Sequence, residues 1–137
     1  MVFNMSYVEL SHNEINEIVD FIYGQIEVLE KIDSSLSELT TEFYALTAEV
    51  LETQPSNVQL AIMNAKATLL SSVTTVLSSV SGLIQKLRRI PSVILNALFN
   101  FLKIFWKIIS RYMNMFKIES ITITISMTPS VVVVLKP

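Results

Sequence analysis

The side chains able to do chemistry are few in this chain, and their spacing argues against most of what they could do. There is one histidine, His12, within Ser11-His12-Asn13-Glu14, and there is no cysteine. Disulfides, thiolate metal sites and cysteine nucleophiles are thereby excluded, and any Ser/His/Asp arrangement would rest on His12 alone. That residue falls at an apparent helix start, where capping logic makes it a solvated first-turn side chain. Acids recur at helical spacing in Glu14, Glu17, Asp20, Glu27 and Glu30. A carboxylate metal site in a bundle, however, needs inward-facing glutamates with Glu-x-x-His partners on other helices, and this sequence lacks them. The acids fall outside the apolar seam described below and are expected on a solvated face. Glycine occurs only at Gly24 and Gly82, so no glycine-rich phosphate loop can be built. The reading is non-enzymatic, with no catalytic residue, cofactor or metal.

Two other groups of residues carry more weight. Phe99, Phe101, Phe105, Trp106, Tyr112 and Phe116 gather aromatic rings in one stretch that also holds bases. Nucleobases stack on such platforms, but packing in a core or an interface is the preferred reading. Together with Ile109 these residues are the expected assembly interface. The second group is electrostatic. The net charge of −2 conceals a split: residues 1–52 hold eleven acids and the single base Lys31, whereas residues 53–118 hold eight bases and no acid. Lys86, Arg88, Arg89, Lys103, Lys107, Arg111 and Lys117 are the candidates to face a nucleic acid or an anionic lipid. Equally open is that the acidic and basic halves neutralise one another.

Helices must position these residues. Over 11–53 the apolar positions repeat as heptads: Ile15, Ile22, Leu29, Leu36, Phe43 and Val50 in one register, Ile18, Gln25, Ile32, Leu39, Leu46 and Thr53 in the other. Asp33-Ser34-Ser35 can cap a new helix, so this block is either one rod or two helices broken near residue 33. Gln54-Pro55-Ser56-Asn57 stops it. Over 57–89, Val58, Ile62, Ala65, Leu69, Val73, Val76, Val80, Leu83 and Leu87 step by threes and fours, surrounded by small hydroxyl residues that permit close backbone approach. After Pro91, residues 92–117 form a third helix, whose polar residues make one narrow stripe; the rest must be buried by protein or lipid. Its length would span a bilayer, but Lys103, Lys107 and Arg111 would each cost about 2.5–3.5 kcal/mol near the centre. Lying at a membrane surface is permitted, and Trp106 and Tyr112 suit it. The tail alternates over Ser120–Ile125, turns at 126–130, and runs apolar over Val131–Leu135, which predicts two strands that need cover from helices or from another subunit.

The expected fold is therefore mainly α: a helical bundle of three to four helices (about 11–53, 57–89 and 92–117) with a short C-terminal β-hairpin or strand pair within 120–135. One domain is expected over 1–137, with an extension at 1–10, the bundle over 11–118 and a β-like tail over 119–137. The N-terminal residues lack the basic region of a secretory signal.

Half the residues are hydrophobic (51%) and only 16% are charged, against about 25% in typical soluble chains. One small bundle cannot easily hide that much apolar surface, so oligomer or membrane contacts are expected. The cysteine-free, isoleucine-rich helices, with the run Ser71-Ser72-Val73-Thr74-Thr75-Val76-Leu77-Ser78-Ser79, resemble over roughly residues 11–117 the coat proteins of archaeal viruses, spindle-shaped or tailed. That resemblance implies a small helical subunit that packs by apolar faces into filaments or shells around DNA. The leading expectation is a virion coat or capsid subunit, a homo-oligomer of many copies with double-stranded DNA as a non-specific partner. The alternatives are a membrane-associated protein that docks on lipid with 92–117, and a cytoplasmic coiled-coil adaptor whose partner binds 11–53.

Overall fold

A computed structural model describes residues 9–43, 52–87, 89–124 and 130–136. The first helix, α1 (His12–Phe43), starts on a reciprocal cap. The Ser11 hydroxyl oxygen accepts the Glu14 N–H at 3.2 Å, while Glu14 Oε1 accepts the Ser11 N–H at 3.4 Å and its hydroxyl at 3.0 Å. Such a box satisfies N–H groups that have no intrahelical acceptor and is worth about 1 kcal/mol. His12 is exposed in that first turn. No break occurs near residue 33: α1 runs through Asp33-Ser34-Ser35, and the Asp33 carboxylate accepts a hydrogen bond from Arg111 instead of capping a new helix. Along the predicted seam Ile22, Leu29 and Leu36 are fully buried, joined by Ile26, and Ile15, Ile18, Ile32 and Leu39 pack at its margins. Residues 44–51, which include the expected seam positions Leu46 and Val50, lie outside the described residues.

Both later helices are entered through proline. The Pro55 carbonyl accepts the N–H of Val58 and Gln59 as α2 (Ser56–Lys86) begins, and the Pro91 carbonyl accepts those of Ile94 and Leu95 at the start of α3 (Ser92–Tyr112). Proline lacks the N–H that this position could not use, so it costs a helix start nothing. α2 ends three residues short of 89, because Leu87 is already extended on the way to Pro91. Beyond Tyr112 the chain turns on to Lys117, which has φ 55°. Ile118 N–H bonds the Met113 carbonyl at 3.0 Å and Lys117 N–H bonds that of Asn114 at 3.2 Å. This is the Schellman pattern, with a lysine in the left-handed position that usually holds glycine.

That turn aims the chain into an antiparallel hairpin of β1 (Ile118–Thr124) and β2 (Ser130–Leu135), as the alternation predicted; of the expected turn residues 126–130, Ser130 opens β2 and the others, with Ile125, lie outside the described residues. Ile118 opposes Leu135 and Ser120 opposes Val134, so Glu119 is an extra residue, a β-bulge. The bulge places Ile118 and Ile121 on the same buried face although they are three residues apart. A regular strand would have pointed one of them into water.

α1 packs most extensively on α3 and less on α2, while β2 covers part of α2. Ile94, Leu98, Phe101, Phe105 and Ile109 of α3 are fully buried, as are Leu69, Val73 and Val76 of α2, and the Phe101 and Phe105 rings stack at 6.4 Å. Gln25, the polar break in the α1 seam, meets the buried hydroxyl of Ser72, which donates to Gln25 Oε1 at 2.9 Å. The pair satisfies two polar groups that would otherwise be costly to bury, and it specifies how α1 and α2 align.

The left-handed geometry at Lys117 has a measurable consequence. Lys117→Gly is expected to be at least as stable as the parent, whereas Lys117→Val should lose about 1–2 kcal/mol, because a β-branched side chain clashes most in this conformation. Equal urea midpoints for the two variants would contradict it.

Candidate functional site

The seven positions expected to form an assembly interface divide into two sets. Phe101, Phe105, Ile109, Tyr112 and Phe116 are buried in the core of the single chain, so they hold its own helices together and are not available to a neighbouring subunit. Phe99 and Trp106 are 56% and 50% exposed. Helical geometry explains the division. At 100° per residue, Ile94, Leu98, Phe101, Phe105, Ile109 and Tyr112 share one arc, whereas Phe99 and Trp106, seven residues apart, lie beyond its edge, roughly 100–120° round from its centre. Part-buried Leu102 and Met113 flank these two rings, and exposed Lys103 and Lys107 lie beside them.

The basic candidates divide as well. Lys86, Arg89, Lys103 and Lys107 are exposed; Arg88 lies outside the described residues. Arg111 Nη1 is 3.1 Å from Asp33 Oδ1 and its guanidinium carbon is 5.9 Å from the centre of the Tyr112 ring. Its contact with the Tyr112 side chain, and then the Asp33 charge, raise its pKa further. Lys117 Nζ is 2.7 Å from Glu52 Oε1, and this hydrogen bond with its charge holds the Glu52 carboxyl below its ordinary range. Among the described residues, the acidic and basic parts of the chain are thus paired at Asp33 and at Glu52. Both pairs are solvated and hold geometry more than they add stability. On α1, Glu14, Glu17, Asp20, Glu27, Glu30 and Glu38 are exposed, as is Lys31.

Two contributions were not foreseen. Lys66 donates from Nζ to the Phe116 carbonyl at 3.0 Å, and Lys136 donates from its backbone N–H to the Lys117 carbonyl at 2.9 Å and from Nζ to Asn114 Oδ1 at 2.8 Å. Spacing alone offers no signal for these, since each ties a distant segment to the carbonyl-rich end of the turn after α3. They surround an open cavity of about 310 Å³ where Met63 of α2 meets Leu135 of β2. The three lysines lining it, Lys66, Lys117 and Lys136, all have protein partners, so the cavity is a joint between helix and hairpin.

The outer face of α2 is built differently. Thr68, Thr74, Thr75 and Ser79 each donate to the carbonyl four residues earlier. Their hydroxyls are satisfied within the helix, so the face offers methyl groups and small side chains to a neighbour. Near its start Leu60 and Met63 are 56% and 64% exposed. Among the described residues no three His, Asp or Glu side chains converge as a metal site would require.

The architecture is a helical bundle of hydrophobic helices carrying a two-stranded antiparallel sheet. No family model matches the chain, and no curated protein or solved structure matches it either.

The division of the aromatics gives a test. Phe105→Ala should cost about 3–5 kcal/mol of unfolding free energy, since it empties a fully buried position. Trp106→Ala should stay within about 0.5 kcal/mol, as surface substitutions do. Urea denaturation at low protein concentration compares them, and similar losses would contradict the assignment of arcs.

Proposed function

We propose that the protein is a non-enzymatic structural subunit that self-assembles through apolar faces, and that the assembly is a virion coat or capsid around nucleic acid. What carries this reading is large apolar side chains left in solvent on four separate elements: Phe21 and Tyr23 on α1, Leu60 and Met63 on α2, Phe99 and Trp106 on α3, and Val132, Val134 and Leu135 on β2. A single patch would support a closed dimer. Several patches let one chain touch more than one neighbour, which any extended assembly needs. The compositional resemblance to archaeal virus coat proteins supports the coat form, and exposed Lys86, Arg89, Lys103 and Lys107 supply the charge to meet DNA phosphates without sequence preference.

One observation favours a second reading, a membrane-associated protein. Ser56–Leu83 and Ser92–Tyr112 are long and apolar enough to cross a bilayer, with mean hydropathy 1.4 and 1.5. Lys103 and Lys107 on the outer arc of α3 favour a helix that lies along a surface over one that crosses it. The adaptor reading has no comparable support, because the described part of the α1 seam, Ile15 to Leu39, packs into the core with α2 and α3.

Sedimentation velocity without detergent, followed by negative-stain microscopy, tests the proposal. It predicts large species at micromolar concentration, seen as filaments or discrete particles. A stable monomer would rule it out, and a protein that is dispersed only by detergent and floats with anionic vesicles at high salt would favour the membrane reading.

A further inference from the structure

We infer that the outer face of α3 in one copy docks on the outer face of α1 in the next, head to tail. The inference rests on the self-assembly proposed above and names the contact that would drive it. On α3, Phe99, Lys103 and Trp106 follow one another at spacings of four and three, with Lys107 beside them, and all are exposed. On α1, Asp20, Tyr23, Glu27 and Glu30 follow at spacings of three, four and three, and all are exposed. Residues three and four apart on a helix are neighbours, so each set is one continuous stripe. The α3 stripe sets two rings among lysines, and the α1 stripe sets one ring, Tyr23, among three carboxylates with Lys31 at its edge, so the net charges are opposite.

Among the described residues no hydrogen bond or ion pair is made by either stripe inside the chain. The contact between α1 and α3 within one molecule is made by other arcs, with Arg111 and Asp33 paired at its margin. Symmetric pairing of either stripe with its own copy would set like charges against each other, which disfavours both α3 on α3 and α1 on α1. Pairing of unlike stripes brings the lysines to the carboxylates and sets a cation over the Tyr23 ring, while Phe99 and Trp106 leave water. Because the two faces differ, every docked copy still presents one free face of each kind. Such a contact propagates into a ring or an open filament rather than closing as a dimer.

The test is a charge exchange on the full chain, read by sedimentation at low salt. Lys103→Glu/Lys107→Glu gives two acidic stripes, and Asp20→Lys/Glu27→Lys gives two basic ones. All four positions are exposed, and circular dichroism and thermal midpoints like the parent's confirm that each variant is folded. The inference expects the parent to assemble and each variant alone to sediment as monomer. It expects an equimolar mixture of the two variants to assemble again, as should the chain that carries all four substitutions. A monomeric parent would overturn the proposed function and this inference together. An assembling parent whose variants still assemble, or whose mixed variants stay apart, would overturn the inference alone. Loss in the lysine variant only, accompanied by lost binding of the parent to duplex DNA or anionic vesicles, would also overturn it and assign the α3 stripe to a polyanion.

Discussion

The packing of α3 on α1 is the constraint from which the rest of the structure follows. α3 buries Phe101 and Phe105 completely, and the largest side chains of the α1 seam, Ile22, Leu29 and Leu36, are buried with them. Each such side chain contributes about 1.5–3 kcal/mol when removed from water, so this interface outweighs any polar contact in the molecule. Fixing which arc of α3 faces inward also fixes which arc cannot. Phe99, Lys103 and Trp106 are forced outward together, because one helix cannot turn two separate arcs toward the same neighbour. The exposed apolar surface is thus a geometric consequence of a core already filled.

The smaller contacts set alignment. Ser72 and Gln25 place α2 along α1, and the left-handed Lys117 turns the chain from α3 into the hairpin. Lys66 and Lys136 then hold that turn through its carbonyls and Asn114. The bulge at Glu119 lets both Ile118 and Ile121 reach the core from one strand. None of these contacts is strong alone. Together they give one arrangement to helices whose apolar faces would accept several.

Much of the fold was legible because hydrophobic period is a local signal. The heptad positions Ile22, Leu29 and Leu36 are the core of α1, proline marks both later helix starts, and the alternating tail is a hairpin. What escaped depends on distant partners. Asp33 has the residue type of a helix cap, but the side chain of Arg111 competes for it across the bundle and α1 continues. Arg111 and Lys117 looked like members of one basic surface, yet each meets an acid brought near by folding. The aromatics of α3 divide by helical phase, not by ring type. The same residues carry the phase that separates exposed Phe99 and Trp106 from buried Phe101 and Phe105.

The charge split along the sequence becomes, in the fold, a mainly acidic outer face on α1 and a basic outer face on α3, with Arg111 and Asp33 paired between the two helices. A chain so divided, with aromatic rings set in both faces, is suited to meet copies of itself. Trp106 is the only tryptophan in the chain and is half exposed in the single molecule, so its fluorescence reports on this central claim directly. Emission and acrylamide quenching measured across a dilution series should show a shift to shorter wavelength and loss of quenching as concentration rises, reversed on dilution. Water-exposed, fully quenchable emission at every concentration, including those where large species sediment, would contradict the account.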